Sequence, residues 1–106
     1  MSYRFMRVIV FFDLPTTTKP ELREYRRFRN SLVKSGFVMM QESVYSKIAL
    51  NASNAEAIKS AVIKEKPSDG LVQMLIITEK QYNSIEYVVG ESSSEVLTSD
   101  ERLVIL

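Results

Sequence analysis

The sequence predicts an α+β fold of the ferredoxin-like βαββαβ kind, and three observations carry that prediction. Phe5 to Asp13 and Leu71 to Thr78 are apolar, β-branched runs, broken in the first only by Arg7. Runs of this kind mark strands covered on both faces. Thr18-x-x-Glu21 and Ser53-x-x-Glu56 are capping-box patterns, each opening a segment with helical apolar spacing. Two short apolar runs flank Gln41-Glu42 and read as a hairpin. In chain order these give β-α-β-β-α-β, and right-handed crossovers put both helices on one face of a four-stranded sheet.

Each element has a local reason. The first strand, FMRVIVFFD, ends in a carboxylate followed by Leu14-Pro15, and its composition predicts a central strand. Pro15 to Thr18 forms a loop, and Pro20 is allowed in the first helical turn. The helix then runs to about Ser35 and stops at Gly36. Its inward stripe is Leu22, Tyr25, Phe28, Leu32 and Val33. Phe37 to Met40 and Ser43 to Ile48 are the hairpin strands. A second helix, Ala55 to about Lys64, turns Ala55, Ile58, Ala61 and Val62 inward. Lys66-Pro67-Ser68-Asp69-Gly70 is a turn, and Leu71 to Thr78 reads as another central strand.

With both helices on one face, the other sheet face lies bare. Two copies burying those faces against each other form a symmetric homodimer. The ferredoxin-like core spans 1–82. Residues 83–106 form a C-terminal extension, with extra strands expected at 84–89 and 102–106. At least one of these is expected to pair with a second copy or another protein.

Composition sets further bounds. A chain of 106 residues suits one domain. It contains no stretch of 18 apolar residues and no N-terminal secretory pattern, so a cytoplasmic protein is expected, with no membrane partner. The absence of Cys rules out disulfides and zinc–thiolate sites. The absence of His removes Ser–His and Cys–His nucleophile pairs. Any metal must be hard and oxygen-bound, magnesium or manganese. The net charge of +1 hides an asymmetry. Residues 1–48 hold nine Lys or Arg against four Asp or Glu, and residues 49–106 hold five against nine. A basic face of this kind suits a polyanion.

Two groups of residues are candidates for function. Asp13, at the end of a rigid strand, is suited to metal or acid–base chemistry; as a turn starter it equally caps the chain that follows. Arg23, Arg26, Arg27 and Arg29, with Lys19 and Lys34 at the helix ends, spread over the polar side of the first helix. Arginine grips phosphate bidentately and without sequence preference. A solvated face partly paired with Glu21 and Glu24 is the alternative. Ser43 either hydrogen-bonds near Asp13 or only closes the hairpin. Arg7 either helps the basic face or pairs within a dimer. The spacing of Tyr25, Phe28, Phe37 and Tyr45 reads as core rather than as a base-stacking platform.

The ordered set Arg7-Val-Ile-Val-Phe-Phe-Asp13-Leu-Pro15, Tyr25-Arg-Arg-Phe-Arg29, Gly36-Phe37 and Gln41-x-Ser43-Val44-Tyr45 resembles the small CRISPR-associated protein of spacer acquisition, the Cas-two family. Thr78-Glu79-Lys80-Gln81-Tyr82 and Ser99-Asp100-Glu101-Arg102 resemble its version from type II systems. The resemblance implies a homodimer of ferredoxin-like subunits that bridges two dimers of the Cas-one integrase. The assembly holds double-stranded prespacer DNA and inserts it into the CRISPR repeat array. It implies that Asp13 is the catalytic and metal-binding residue. One copy from each subunit would face the other across the dimer axis and hold Mg²⁺ or Mn²⁺. Members are also described as metal-dependent endonucleases, so a stand-alone endoribonuclease related to toxin ribonucleases is the alternative reading. The chain departs from the wider family in one respect: Leu14 to Pro20 contains no second acidic residue. With one carboxylate per subunit, such a metal site is mostly water-filled and weak.

Overall fold

The computed structural model describes residues 5–91. Strand β1 (Met6–Asp13) runs through the middle of a four-stranded sheet ordered β2-β3-β1-β4, with every neighbour antiparallel. Its central position matches the apolar run that forms it. The strands β2 (Val38–Gln41) and β3 (Val44–Ala49) make the hairpin, and β4 (Leu71–Thr78) lies on the far side of β1. Helices α1 (Lys19–Lys34) and α2 (Ala52–Lys64) supply the other layer. A short helix, α3 (Glu79–Asn83), follows β4 directly.

Alternation along β1 divides the sheet. Val8, Val10 and Phe12 face the helices and are buried. Phe12 sits at the centre of the core. Its ring meets Phe28 edge-on at 5.3 Å, Tyr45 at 5.7 Å and Tyr25 at 6.0 Å. The aromatic residues of α1 and the hairpin therefore belong to the core, as their spacing implies. Full burial of Phe28 and Leu32 contributes about 1.5–3 kcal/mol each. Arg7, Ile9, Phe11 and Asp13 alternate onto the opposite face, in register with Val44, Ser46 and Ile48 of β3 and with Leu71, Gln73, Leu75 and Ile77 of β4. There Ile9 and Ser46 are buried, but Phe11, Val38, Ile48, Leu71 and Leu75 stand exposed, so among the described residues much of the second sheet face is apolar and open.

The cap chemistry of α1 is as the sequence predicts. The Glu21 amide donates to the Thr18 hydroxyl, and the Thr18 amide donates to the Glu21 carboxylate at 2.9 Å. At the other end the Gly36 amide bonds the Val33 carbonyl and the Phe37 amide bonds the Leu32 carbonyl, a Schellman closure. It requires the positive φ of 99° that Gly36 supplies.

Several expectations are corrected. Helix α2 starts at Ala52 rather than Ala55, because Asn51, not Ser53, caps it by accepting from the Asn54 amide at 2.8 Å. Val33 and Ala61 are exposed, since each lies one position off the buried stripe of its helix. The hairpin connection is Glu42-Ser43, with Ser43 at a φ of 63°. Each hairpin strand sits one residue later than the apolar runs suggested. Strand β4 is an edge strand, not a central one. Its apolar residues on both faces reflect a second sheet face that is largely open at β4 among the described residues, not a strand flanked on both sides. Residues 84–89, expected as an extra strand, form no ladder among the described residues. The strand expected at 102–106 lies outside the described residues.

Helix α3 was not foreseen, although Thr78-x-x-Gln81 caps it reciprocally, the Thr78 hydroxyl accepting from the Gln81 amide and the Gln81 side chain from the Thr78 amide. It is fastened to the open sheet face by Arg7. The Arg7 guanidinium donates to both oxygens of Glu79, at 2.8 and 3.1 Å, and lies 4.0 Å from the centre of the Tyr82 ring. The Glu79 hydrogen bonds hold the Arg7 pKa above its ordinary value. Arg7 thus pairs within its own chain.

Candidate functional site

Helix α1 displays all its basic residues but Arg29 in one stripe. At 100° per residue, Lys19, Arg23, Arg26, Arg27, Asn30 and Lys34 fall within an arc of about 100°, opposite the buried Phe28 and Leu32. All six are exposed. The helix has 16 residues, so the stripe extends for about 24 Å. The side chains of Lys19, Arg23, Arg26 and Lys34 make no hydrogen bond or ion pair among the described residues. Their charges are available to a ligand.

Arg27 is different. It bonds the Glu24 carboxylate at 2.6 and 2.9 Å, the Glu65 carboxylate at 3.2 Å and the Glu65 carbonyl at 3.0 Å. The Glu24 and then Glu65 contacts raise its pKa. This cation ties α1 to the C-terminal end of α2, and its charge is largely answered within the fold. Arg29 sits on the flank of the helix, half-buried, close enough to Tyr45 for its charge to favour the phenolate. Burial of the phenol outweighs that effect and pushes the Tyr45 pKa up.

Asp13 is exposed at the end of β1, beside Leu71 of β4, and its carboxylate makes no hydrogen bond or ion pair among the described residues. It is not the cap of α1; Thr18 is. It lies in a shallow depression of about 250 Å³ with Phe11, Glu42, Ser43 and Gln73 among its lining residues. Ser43 closes the hairpin, and its carbonyl accepts from the Phe12 amide at 3.0 Å, which holds the turn against the end of β1. The rear of the site is rigid. Gly70, at a φ of 93°, packs so closely that an added Cβ would lie 2.9 Å from the Asp13 carbonyl oxygen.

Every donor around Asp13 is a hard oxygen or amide, the kind that suits magnesium or manganese. The number is short, because among the described residues no three acidic side chains gather to hold an ion. Sequence reasoning found Asp13 and the helix stripe. It missed Gln73, two positions along β4 from the partner of Asp13, because the register of β4 on β1 has no local signal.

Among the described residues no helix is long and apolar enough to cross a membrane. The family model for "CRISPR associated protein Cas2" matches residues 6–85. A Treponema denticola protein named CRISPR-associated endoribonuclease Cas2 is 54% identical over 101 residues, covering 95% of this chain and 100% of that protein. A Ligilactobacillus salivarius protein of the same name is 45% identical over the same shares of both chains. A solved structure described as "Crystal structure of cas2" superposes with a TM-score of 0.55 at 22% identity, covering 85% of this chain and 92% of its own. At that identity the likeness speaks to the fold alone. The ferredoxin-like order of elements, the strand-end Asp13 and the family match over most of the chain place this protein in the CRISPR-associated Cas2 family.

Proposed function

We propose that the chain acts in the cytoplasm as the DNA-holding subunit of CRISPR spacer acquisition, a symmetric homodimer that bridges dimers of the Cas-one integrase. The observation that carries this reading is the unpaired cationic stripe of α1, Lys19, Arg23, Arg26 and Lys34. Such a stripe binds phosphates through charge and geometry and ignores base sequence, as a protein holding prespacers of any sequence must. The open apolar sheet face supports self-association, because Phe11, Val38, Ile48, Leu71 and Leu75 gain about 25 cal/mol for each Å² they bury. A twofold copy doubles the stripe and lets one duplex lie along both helices.

The names of the Treponema and Ligilactobacillus relatives, both endoribonucleases, favour a second reading, cleavage of RNA. In that reading we place the chemistry at Asp13, with a metal ion. An oxygen-bound Mg²⁺ or Mn²⁺ would supply a water of lowered pKa and offset phosphate charge. Asp13 would hold the ion, with Ser43 and Gln73 orienting its waters, and the Asp13 of a second copy would have to make up the missing carboxylate. The α1 cations position the phosphates in either reading.

Asp13→Ala separates the two. The expected outcome is an intact dimer in sedimentation and unchanged duplex affinity, with any magnesium-dependent cleavage lost. Loss of duplex binding together with cleavage would transfer the function to the carboxylate centre.

A further inference from the structure

The chain has three prolines, Pro15, Pro20 and Pro67, and all three line one groove. It lies between the loop leaving β1, the first turns of α1 and the turn before β4, and measures about 290 Å³. Leu14 and Tyr25 complete its apolar wall. Proline rings have fixed φ, and Gly70 locks Leu14 from behind, where an added Cβ would come within 2.7 Å of its side chain. The groove is therefore preformed, and a ligand need not order its walls on binding.

Its charge is opposite to that of the helix stripe. Glu21 and Glu24, the two acidic residues of α1, line the groove together with Asp69. Each carboxylate spends one oxygen within the fold. Glu21 Oε1 accepts from the Thr17 and Thr18 amides, Glu24 Oε2 from Arg27, and Asp69 Oδ1 from the Gly70 amide. The second oxygen of each accepts no hydrogen bond among the described residues. Glu21 and Asp69, which have no ion pair among the described residues, with the free oxygen of the Arg27-paired Glu24 beside them, make a rigid apolar groove that repels phosphate and attracts a cation with an apolar body.

We infer that this groove is a protein-docking site that takes an arginine side chain from an extended segment of a partner. Arginine fits better than lysine. Its guanidinium is planar, stacks on an aromatic ring such as Tyr25, and forks to two carboxylate oxygens at once. The surface lies on the acidic flank of α1, away from the outward stripe, so a protein partner and a nucleic acid occupy the molecule together. The site does not depend on the DNA-holding reading, and either stands if the other fails.

The test uses the full chain, ¹⁵N-labelled, titrated with acetyl-leucyl-arginyl-leucinamide and with the same peptide carrying citrulline, the neutral isostere. Saturable shifts are expected for Leu14, Tyr25, Asp69 and Gly70, with citrulline binding about tenfold weaker or worse. Glu21→Gln/Asp69→Asn is expected to lose the arginine preference. Both substitutions keep their backbone contacts, because glutamine serves in a capping box and asparagine retains the side-chain acceptor. Equal binding of the two peptides overturns the inference, as do shifts spread over acids elsewhere or an unchanged preference in the variant. Duplex DNA added alone is expected to leave the groove resonances in place. If it shifts them instead, the surface belongs to nucleic acid and the docking assignment fails.

Discussion

Reversing two cations of the α1 stripe is the sharpest test of how this protein meets DNA. Lys19, Arg23, Arg26 and Lys34 carry unanswered charge, whereas Arg27 is held by Glu24 and Glu65. With both copies of a dimer engaged, about eight phosphates are neutralised, and the log–log dependence of affinity on salt has a slope of about −7. Arg23→Glu/Arg26→Glu removes about four of those contacts and brings the slope to about −4. At about 0.1 M salt the lost counterion release lowers affinity by about 10³-fold. Arg27→Gln is the control. It shifts the slope by less than about 1 and instead lowers stability by about 1 kcal/mol, since the pair is exposed and screened. Fluorescence anisotropy of a labelled duplex, repeated from about 50 to 200 mM salt, reads both numbers. The reasoning is refuted if the double reversal leaves the slope unchanged, or if Arg27→Gln matches its effect on DNA.

Three further outcomes follow from the fold. Gly70→Ala forces a side chain into positive φ and against the Asp13 carbonyl, so the urea midpoint should fall by the equivalent of about 2–4 kcal/mol with an unchanged m-value. Arg7→Met leaves the half-buried Glu79 without its two hydrogen bonds and should cost about 2 kcal/mol; hydrogen exchange should show α3 amides opening first. Burial raises the Tyr45 pKa in the folded state, so its stabilising contribution is complete below about pH 10, the unfolded value, and fades as pH rises through the folded one. Melting temperatures taken across that alkaline range should fall less steeply for Tyr45→Phe than for the parent chain, and a parallel decline in both would show that Tyr45 plays no part.

Local pattern alone determined much of this molecule. The apolar run of β1 located the central strand, and Thr18-x-x-Glu21 with Gly36 bounded α1 to within a residue. The candidate residues Asp13, Arg23 and Arg26 were also legible, because strand ends and helix faces follow from periods of two and 3.6. Such signals rest on contacts within one or two turns of backbone, and every residue involved is near in sequence. Where the pattern misled, a neighbour in space was responsible. The apolar residues of β4 read as central, yet its position in the sheet order leaves it at the edge.

Beyond the local Arg27–Glu24 pair, the tertiary structure decided which charges are free. Arg27 meets Glu65 across 38 positions, and Arg7 meets Glu79 across 72. No periodicity encodes those separations; they follow from how β1 registers against β4 and how α1 lies beside α2. The same register sets Gln73 near Asp13 and gathers three scattered prolines around one groove. A residue's type states which interactions it is capable of, but only the packed chain brings the partner within hydrogen-bond range, where electrostatic attraction is strong enough to occupy it.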